Sequence, residues 1–383
     1  MAAIDSDGLR VELSARFDFP VRFARRVLAR ENPALLDALR RLEPFERHRV
    51  FPVVDAGLAE ARPAFVAELE AYLDAHKSGL IKTGPPLILP RGARPEIAAW
   101  LRSRLALAGL DPRSQLLVAG GAASLELAGY AAATYRRGLR VTRLPSSPLA
   151  QAGPGLRVIN GLDAFGRKDM LGTFHPPFAI LVDFDLLSSA GARGRRAGLA
   201  EAFKAGLAKD AALFHWIAER ADLLAAGDAE SLENALRWSA RLHLEESMGG
   251  KLFDAAEPRP LELGHWSARA LEILSKGELS HGEAVAIGLA LDLLISRKLC
   301  GFPAAAAEAA IAALTTMGLR VWDEALEYRE NGRLMLLDGL RESQERRGGA
   351  LSIPLLRGLG EPVEIGEIPE PLIVESIKFL RAR

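Results

Sequence analysis

Two short segments each place one histidine in an otherwise apolar, helix-like stretch: Gly264-His265-Trp266 and Leu279-Ser280-His281-Gly282-Glu283-Ala284-Val285. A third, Gly198-Leu199-Ala200-Glu201-Ala202-Phe203-Lys204, adds a carboxylate. One acid and two imidazoles make the protein ligand set of a catalytic zinc-type ion, with a coordination position left open for water or substrate. A lone helical histidine is ordinarily just packed or solvated, and His48, His76, His175 and His215 have no partner signal around them. His265 differs because Gly264 permits close backbone approach. His281 follows Ser280 at an expected helix start, and Glu201 gives both histidines a third partner.

Other residues suit anions or nucleotides. Ala119-Gly120-Gly121-Ala122 stands between a strand and a helix, where backbone N–H groups and the helix dipole can meet a pyrophosphate. A tight strand–helix turn needs glycine in any case. Asp55, at the tip of an early strand, suits ribose hydroxyls or simply caps the next helix. Lys204 lies one helical turn from Glu201 and suits a phosphate or carboxylate, or solvent. Lys168, in Gly166-Arg167-Lys168-Asp169, is a second candidate anion contact.

The elements that must position these residues alternate in the first half. Strands are expected at Val50–Asp55, Pro86–Pro90, Gln115–Ala119, Leu139–Leu144 and Phe178–Val182, with helices at Leu58–His76, Pro95–Leu107 and Ala123–Arg136. Such alternation implies a mostly parallel sheet covered on both faces. Pro145–Pro177 is rich in Gly and Pro and reads as one long loop. Beyond Leu187 helices dominate: Arg196–Leu207, Ala211–Leu224, Ala229–Ser247, Leu261–Leu274, Gly282–Lys298 and Ala304–Met317, then a late strand at Ala350–Leu356 and a helix at Val374–Arg381. A cleft between the two halves is expected.

Composition narrows the function classes. With 383 residues, 49% of them apolar and 26% charged, two folded domains are expected. Basic and acidic residues balance at 49 each, which gives no argument for nucleic acid or an anionic membrane. Cys300 is the only cysteine, so intramolecular disulfides and a cysteine zinc site are excluded. Met1–Asp7 is acidic without an apolar core, unlike a signal peptide. No run of ~20 apolar residues reads as a membrane span, so the cytoplasm is the expected compartment.

Taken in order, the segments resemble the 3-dehydroquinate synthase family of sugar-phosphate cyclases. The resemblance runs through Gly129-Tyr130-Ala131-Ala132-Ala133-Thr134-Tyr135-Arg136-Arg137-Gly138, Leu149-Ala150-Gln151, the Glu201 and His265 segments, and His281-Gly282-Glu283-Ala284-Val285-Ala286. Ala164-Phe165-Gly166-Arg167-Lys168, Gly264-His265-Trp266 and Pro354-Leu355-Leu356-Arg357-Gly358 are similar to the cyclase-like type of the bacterial Ebo gene cluster. The resemblance implies a Rossmann-like α/β NAD-binding domain over 1–187 and an all-α metal- and substrate-binding domain over 188–383. It also implies NAD, a divalent zinc or cobalt ion, a homodimer and a sugar-phosphate substrate. The family transiently oxidises a hydroxyl, eliminates phosphate, reduces the ketone again and closes a carbocycle by aldol addition.

By position the resemblance gives metal ligation to Glu201, His265 and His281, and catalytic roles to Lys204, Lys168 and His243. It gives cofactor contacts to Asp55, Gly120, Gly121, Glu126, Ser146, Ser147, Lys168 and Ser189. The departures fall on the cofactor and substrate side. Ala122 ends a triple glycine, Glu126 replaces an Asp, and Ala93 replaces a ribose-binding Glu. Gly153-Pro154 replaces Asp-Ser, Ile159 a catalytic Lys, His243 a substrate-binding Lys, Glu262 an Asn and Arg269 a His. Losing one charged contact removes ~1.5–3 kcal/mol; Arg157 and Arg167 stand nearby as replacement charges. Two other readings follow. One is a non-catalytic descendant that keeps metal and fold as a binding or scaffold module. The other is a metal-dependent alcohol or glycerol-phosphate dehydrogenase.

Overall fold

A parallel sheet organises the first half of the chain. The computed structural model describes residues 2–5, 8–11, 15–248 and 258–383; Met1, Ser6 and Asp7 of the acidic N-terminal segment lie outside it. The sheet runs Val21–Ala24, Ala179–Asp183, Arg140–Pro145, Gln115–Gly120, His48–Asp55, Leu80–Lys82, and Leu87–Leu89 also pairs with His48–Asp55. All of these pairings are parallel. Parallel neighbours need crossovers, which the Pro95–Leu107 and Ala122–Ala133 helices provide. Pro52 lies between the two short strands on the outer edge, where a residue without N–H is tolerated.

Strand side chains point alternately to the two faces. Leu116 and Val118 pack with Leu101, Leu105, Leu125 and Ala128 on one face. Leu117 and Ala119 pack with Leu35, Phe65, Leu69 and Leu73 on the other. Because both faces are covered, Gln115–Gly120 is buried throughout, as a central parallel strand must be.

The second half centres on two helices, Ala192–Lys209 and His281–Leu299. The first is buried continuously from Ala197 to Ala208, the mark of an interior helix. Small residues let its neighbours touch backbone: a Cβ on Gly198 would lie 2.5 Å from Pro148, and one on Gly282 would lie 2.3 Å from Ala197 Cα.

Several expectations need correction. The Leu58–His76 helix is two, Ala56–Ala61 and Ala64–Ala75, broken at Arg62-Pro63 because proline supplies no N–H. Ala211–Leu224 likewise splits into Ala211–Glu219 and Ala221–Ala226. Pro145–Pro177 is not a loop. It holds a short helix, Pro148–Ala152, and an antiparallel hairpin, Ile159–Ala164 with Arg167–Phe174. Polar, half-exposed strands and a bulge between Arg167 and Leu171 hid the alternation. The C-terminal region is helical, as expected, and the late strand expected at Ala350–Leu356 is present as Ile353–Gly358, paired with Glu361–Ile365; the pairing of Arg329–Glu330 with Arg333–Leu334 departs from an all-α domain. Val21–Ala24 and an N-terminal hairpin, Ala2–Asp5 with Gly8–Val11, are further strands that the hydrophobic pattern did not reveal. Among the described residues no helix is long and apolar enough to cross a membrane.

Candidate functional site

Glu201, His265 and His281 converge, each offering a ligand atom within 4.8 Å of the others. His265 and His281 each open a helix, and their rings stand 5.5 Å apart at 56°. A capping box of Ser280 and Glu283 fixes the start that presents His281. Nδ1 of His281 donates to Glu272 Oε1 at 2.8 Å. Nδ1 of His265 faces the Leu263 carbonyl at 3.3 Å. Those bonds place the proton on Nδ1 and leave each Nε2 lone pair for a cation.

Glu201 is 2% exposed. Its Oε1 accepts from Lys204 Nζ at 2.6 Å and faces His243 Nε2 at 2.8 Å. Its Oε2 is buried and, among the described residues, has no hydrogen-bond partner. Burial alone would raise the Glu201 carboxyl, but Lys204, His243 and His265 hold it well below the usual range. Burial, then Lys204, Arg269 and His281, keep His265 neutral far below the ordinary histidine value. A charged acid whose second oxygen has no partner among the described residues, beside the neutral His265 imidazole, is donor chemistry that suits a divalent cation.

The cluster opens on a cleft of about 340 Å³ lined by Glu126, Arg157, Ile159, Lys168, Lys204, His243, Glu262 and Arg269, among others. Lys168 reaches from the hairpin to Asp163 at 3.0 Å and Glu272 at 3.2 Å. Glu272 thus ties His281 to Lys168. Burial would raise Glu262, yet Arg269, Arg259, Arg157 and Arg347 hold it at about 2. Burial pushes Glu126 up to about 7, against the pull of Arg157.

His243 and Gly153 are coupled sterically. A Cβ on Gly153 would lie 2.4 Å from His243 Cδ2 and Cγ, so the ring occupies the space that a side chain at 153 would need. Gly153→Ala is expected to cost about 1–3 kcal/mol by overpacking, and His243→Ala to remove that cost. Chemical denaturation of the single and double variants checks the coupling; additive effects refute it.

On the nucleotide side, Asp55, Gly120, Gly121, Ser146, Ser147 and Ser189 lie at or just beyond the carboxyl ends of the strands rather than in the cleft beside the acid–histidine cluster. Gly121 precedes the Ala122–Ala133 helix, where no side-chain cap occupies the first turn among the described residues. That end can take a pyrophosphate. Asp55 is committed: Oδ1 caps Leu58 N–H at 3.0 Å and Oδ2 meets Ser124 Oγ. The Ser146 N–H donates to the Gly120 carbonyl at 2.9 Å, and Ser147 caps Pro148–Ala152. Ser189 Oγ donates to Leu186 O at 2.6 Å. Only Glu126 and Lys168 of the cofactor set line the cleft. Glu272 has no local motif in the sequence: it meets His281 nine positions on, in the next helix, and Lys168 far back in the hairpin. Arg167 points away, paired with Glu345.

The sequence matches the family description "3-dehydroquinate synthase N-terminal" over residues 95–197 and "3-dehydroquinate synthase C-terminal" over 198–339. A 3-dehydroquinate synthase of Cereibacter sphaeroides is 30% identical over 380 residues, covering 96% of each chain. A 2-epi-5-epi-valiolone synthase of Streptomyces glaucescens is 31% identical over 76% of this chain and 75% of its own. The structure of a 2-epi-5-epi-valiolone synthase from Streptomyces hygroscopicus, with NAD+ and Zn2+ bound, superposes with a TM-score of 0.86 at 25% identity, covering 97% of this chain and 99% of that one. Its fold, its acid–histidine cluster and these matches make the chain a member of the 3-dehydroquinate synthase family of sugar-phosphate cyclases.

Proposed function

We propose that this chain is an NAD- and metal-dependent cyclase that eliminates phosphate from a sugar phosphate and closes a carbocycle. Residues 1–187 hold the dinucleotide, residues 188–383 hold the metal and most substrate contacts, and the pair works as a homodimer. The observation that carries this reading is Glu201, His265 and His281 converging on one point, with Glu201 Oε2 buried and, among the described residues, without a hydrogen-bond partner. A zinc or cobalt ion held there would polarise a substrate oxygen, and NAD would accept and return a hydride.

The chain's own residues supply the rest. Lys204 fixes the Glu201 carboxylate and adds positive charge to the cleft wall. His243 shares that carboxylate. Lys168 and Arg157 face the cleft as contacts for the substrate phosphate, and the Gly120-Gly121 turn and the helix start behind it receive the pyrophosphate.

The test is the full chain with NAD+, Zn2+ or Co2+ and a panel of sugar phosphates: a seven-carbon ketose phosphate, a seven-carbon keto-acid phosphate and a hexose phosphate. Phosphate release with a carbocyclic product and no net NADH is expected, because a cyclase returns its hydride. Lasting NADH accumulation would instead mark a dehydrogenase. Ala93 and Ile159 on the cleft wall favour a second reading, a metal-binding descendant without turnover. Metal uptake without phosphate release from any of the panel would support that second reading.

A further inference from the structure

Asp292 is completely buried, about three turns beyond His281 on the same helix. A carboxylate in a core needs compensating donors. Among the described residues Asp292 has two donors and no ion pair: Gly264 N–H to Oδ2 at 2.7 Å, and Trp266 Nε1–H to Oδ1 at 2.8 Å. Those donors belong to the residues immediately before and after His265. Gly264 adopts φ +76°, and a Cβ there would meet Leu289 N at 2.9 Å; a Cβ on Gly288 would lie 2.2 Å from the Gly264 carbonyl. The turn that delivers His265 is therefore pressed onto the helix that carries His281, and one carboxylate grips it on both sides.

We propose that Asp292 is a positioning residue of the metal centre, gripping Gly264 and Trp266 so that His265 keeps its place relative to His281. The inference rests on the metal reading above. It adds that the relative position of the two imidazoles is set from within the core, by a residue that among the described residues hydrogen-bonds to neither ring. A purely structural Asp292 would affect stability alone; a positioning Asp292 also affects how the folded protein holds a cation.

The experiment titrates Co2+ into the full-length, metal-stripped chain. It reads affinity and the ligand-field absorption band of the bound ion, with thermal melting alongside. Asp292→Asn offers one accepting oxygen and turns an N–H₂ group toward one of the two donors. A Co2+ affinity about 10–100-fold weaker is expected, with an altered band. Adding Trp266→Phe removes the opposed donor, lets the amide oxygen keep Gly264 N–H, and should recover part of the loss, because one of the two grips is restored. An unchanged affinity and band in folded Asp292→Asn, whatever its melting temperature, overturns the proposal. If Asp292→Asn does not fold, Trp266→Phe alone decides: a weaker affinity with a shifted band supports the proposal, and wild-type behaviour overturns it. Failure of the wild-type chain to take up Co2+ overturns the metal reading first, and this inference with it.

Discussion

His265→Ala is expected to strip the protein of divalent metal while leaving it folded. A four-ligand zinc site is worth about 10–16 kcal/mol, or ~3 kcal/mol per ligand, so losing one imidazole should weaken binding more than a hundredfold. The fold should survive because His265 is neutral, crowded by Lys204, Arg269 and His281, and its removal leaves no charge uncompensated. Glu201→Gln should lose metal equally but behave differently in stability. Its partner Lys204 is 1% exposed, and an ammonium left buried without its counter-charge costs about 3–5 kcal/mol. Burial already lowers Lys204 from the ordinary lysine value, and without Glu201 it would fall further. The folded chain would then bind fewer protons than the unfolded one. The deficit should therefore shrink as pH rises toward the lysine range and grow as it falls. Elemental analysis and melting curves across pH check both variants; full metal occupancy in either one refutes the ligand assignment.

Why the metal cluster was legible in the sequence and its surroundings were not is a matter of range. His265 and His281 each announce themselves locally, by a glycine turn and by a capped helix start. The Ala229–Ser247 and Pro95–Leu107 helices match their expected ends because apolar spacing and flanking residues agree there. The hairpin from Ile159 to Phe174 has no such agreement. Gly161, Gly166 and Gly172 interrupt it, its turn uses positive φ at Phe165 and Gly166, and its second strand is largely exposed. That hairpin nonetheless delivers Lys168 to Glu272 and hence to His281.

The support around the ligands comes from pairs with no local sequence signature. Asp292 meets Gly264 across 28 positions and Trp266 across 26; Glu201 meets His243 across 42. Asp55 shows the opposite case. Its two local readings, ribose contact and helix cap, were both open, and the structure commits both oxygens to the cap and to Ser124. A ribose there would have to compete with bonds already made, which adds to the loss of an acid at Ala93.

Arg157→Ala is expected to weaken a phosphate-bearing ligand by about 10–150-fold, the effect of one charge-assisted contact of ~1.5–3 kcal/mol. The residue earns this role by what the other cations are doing. Lys204 is held by Glu201 at 2.6 Å, and Lys168 by Asp163 and Glu272. Arg157 lines the same cleft half-exposed, and among the described residues its nearest carboxylate oxygen is Glu126 Oε1 at 3.9 Å. Its backbone is anchored, because Arg143 Nη1 donates to its carbonyl at 2.7 Å and to that of Gly155 at 3.2 Å. A fixed backbone and a guanidinium whose side chain makes no hydrogen bond among the described residues, two residues from Ile159, suit it to meet a phosphate in this cleft. Calorimetry with inorganic phosphate and a sugar phosphate reads the loss. Ile159→Lys in the Arg157→Ala background should return much of it, since an ammonium then enters the same wall. Equal affinity in wild type and Arg157→Ala would mean that the phosphate contacts a different part of the cleft.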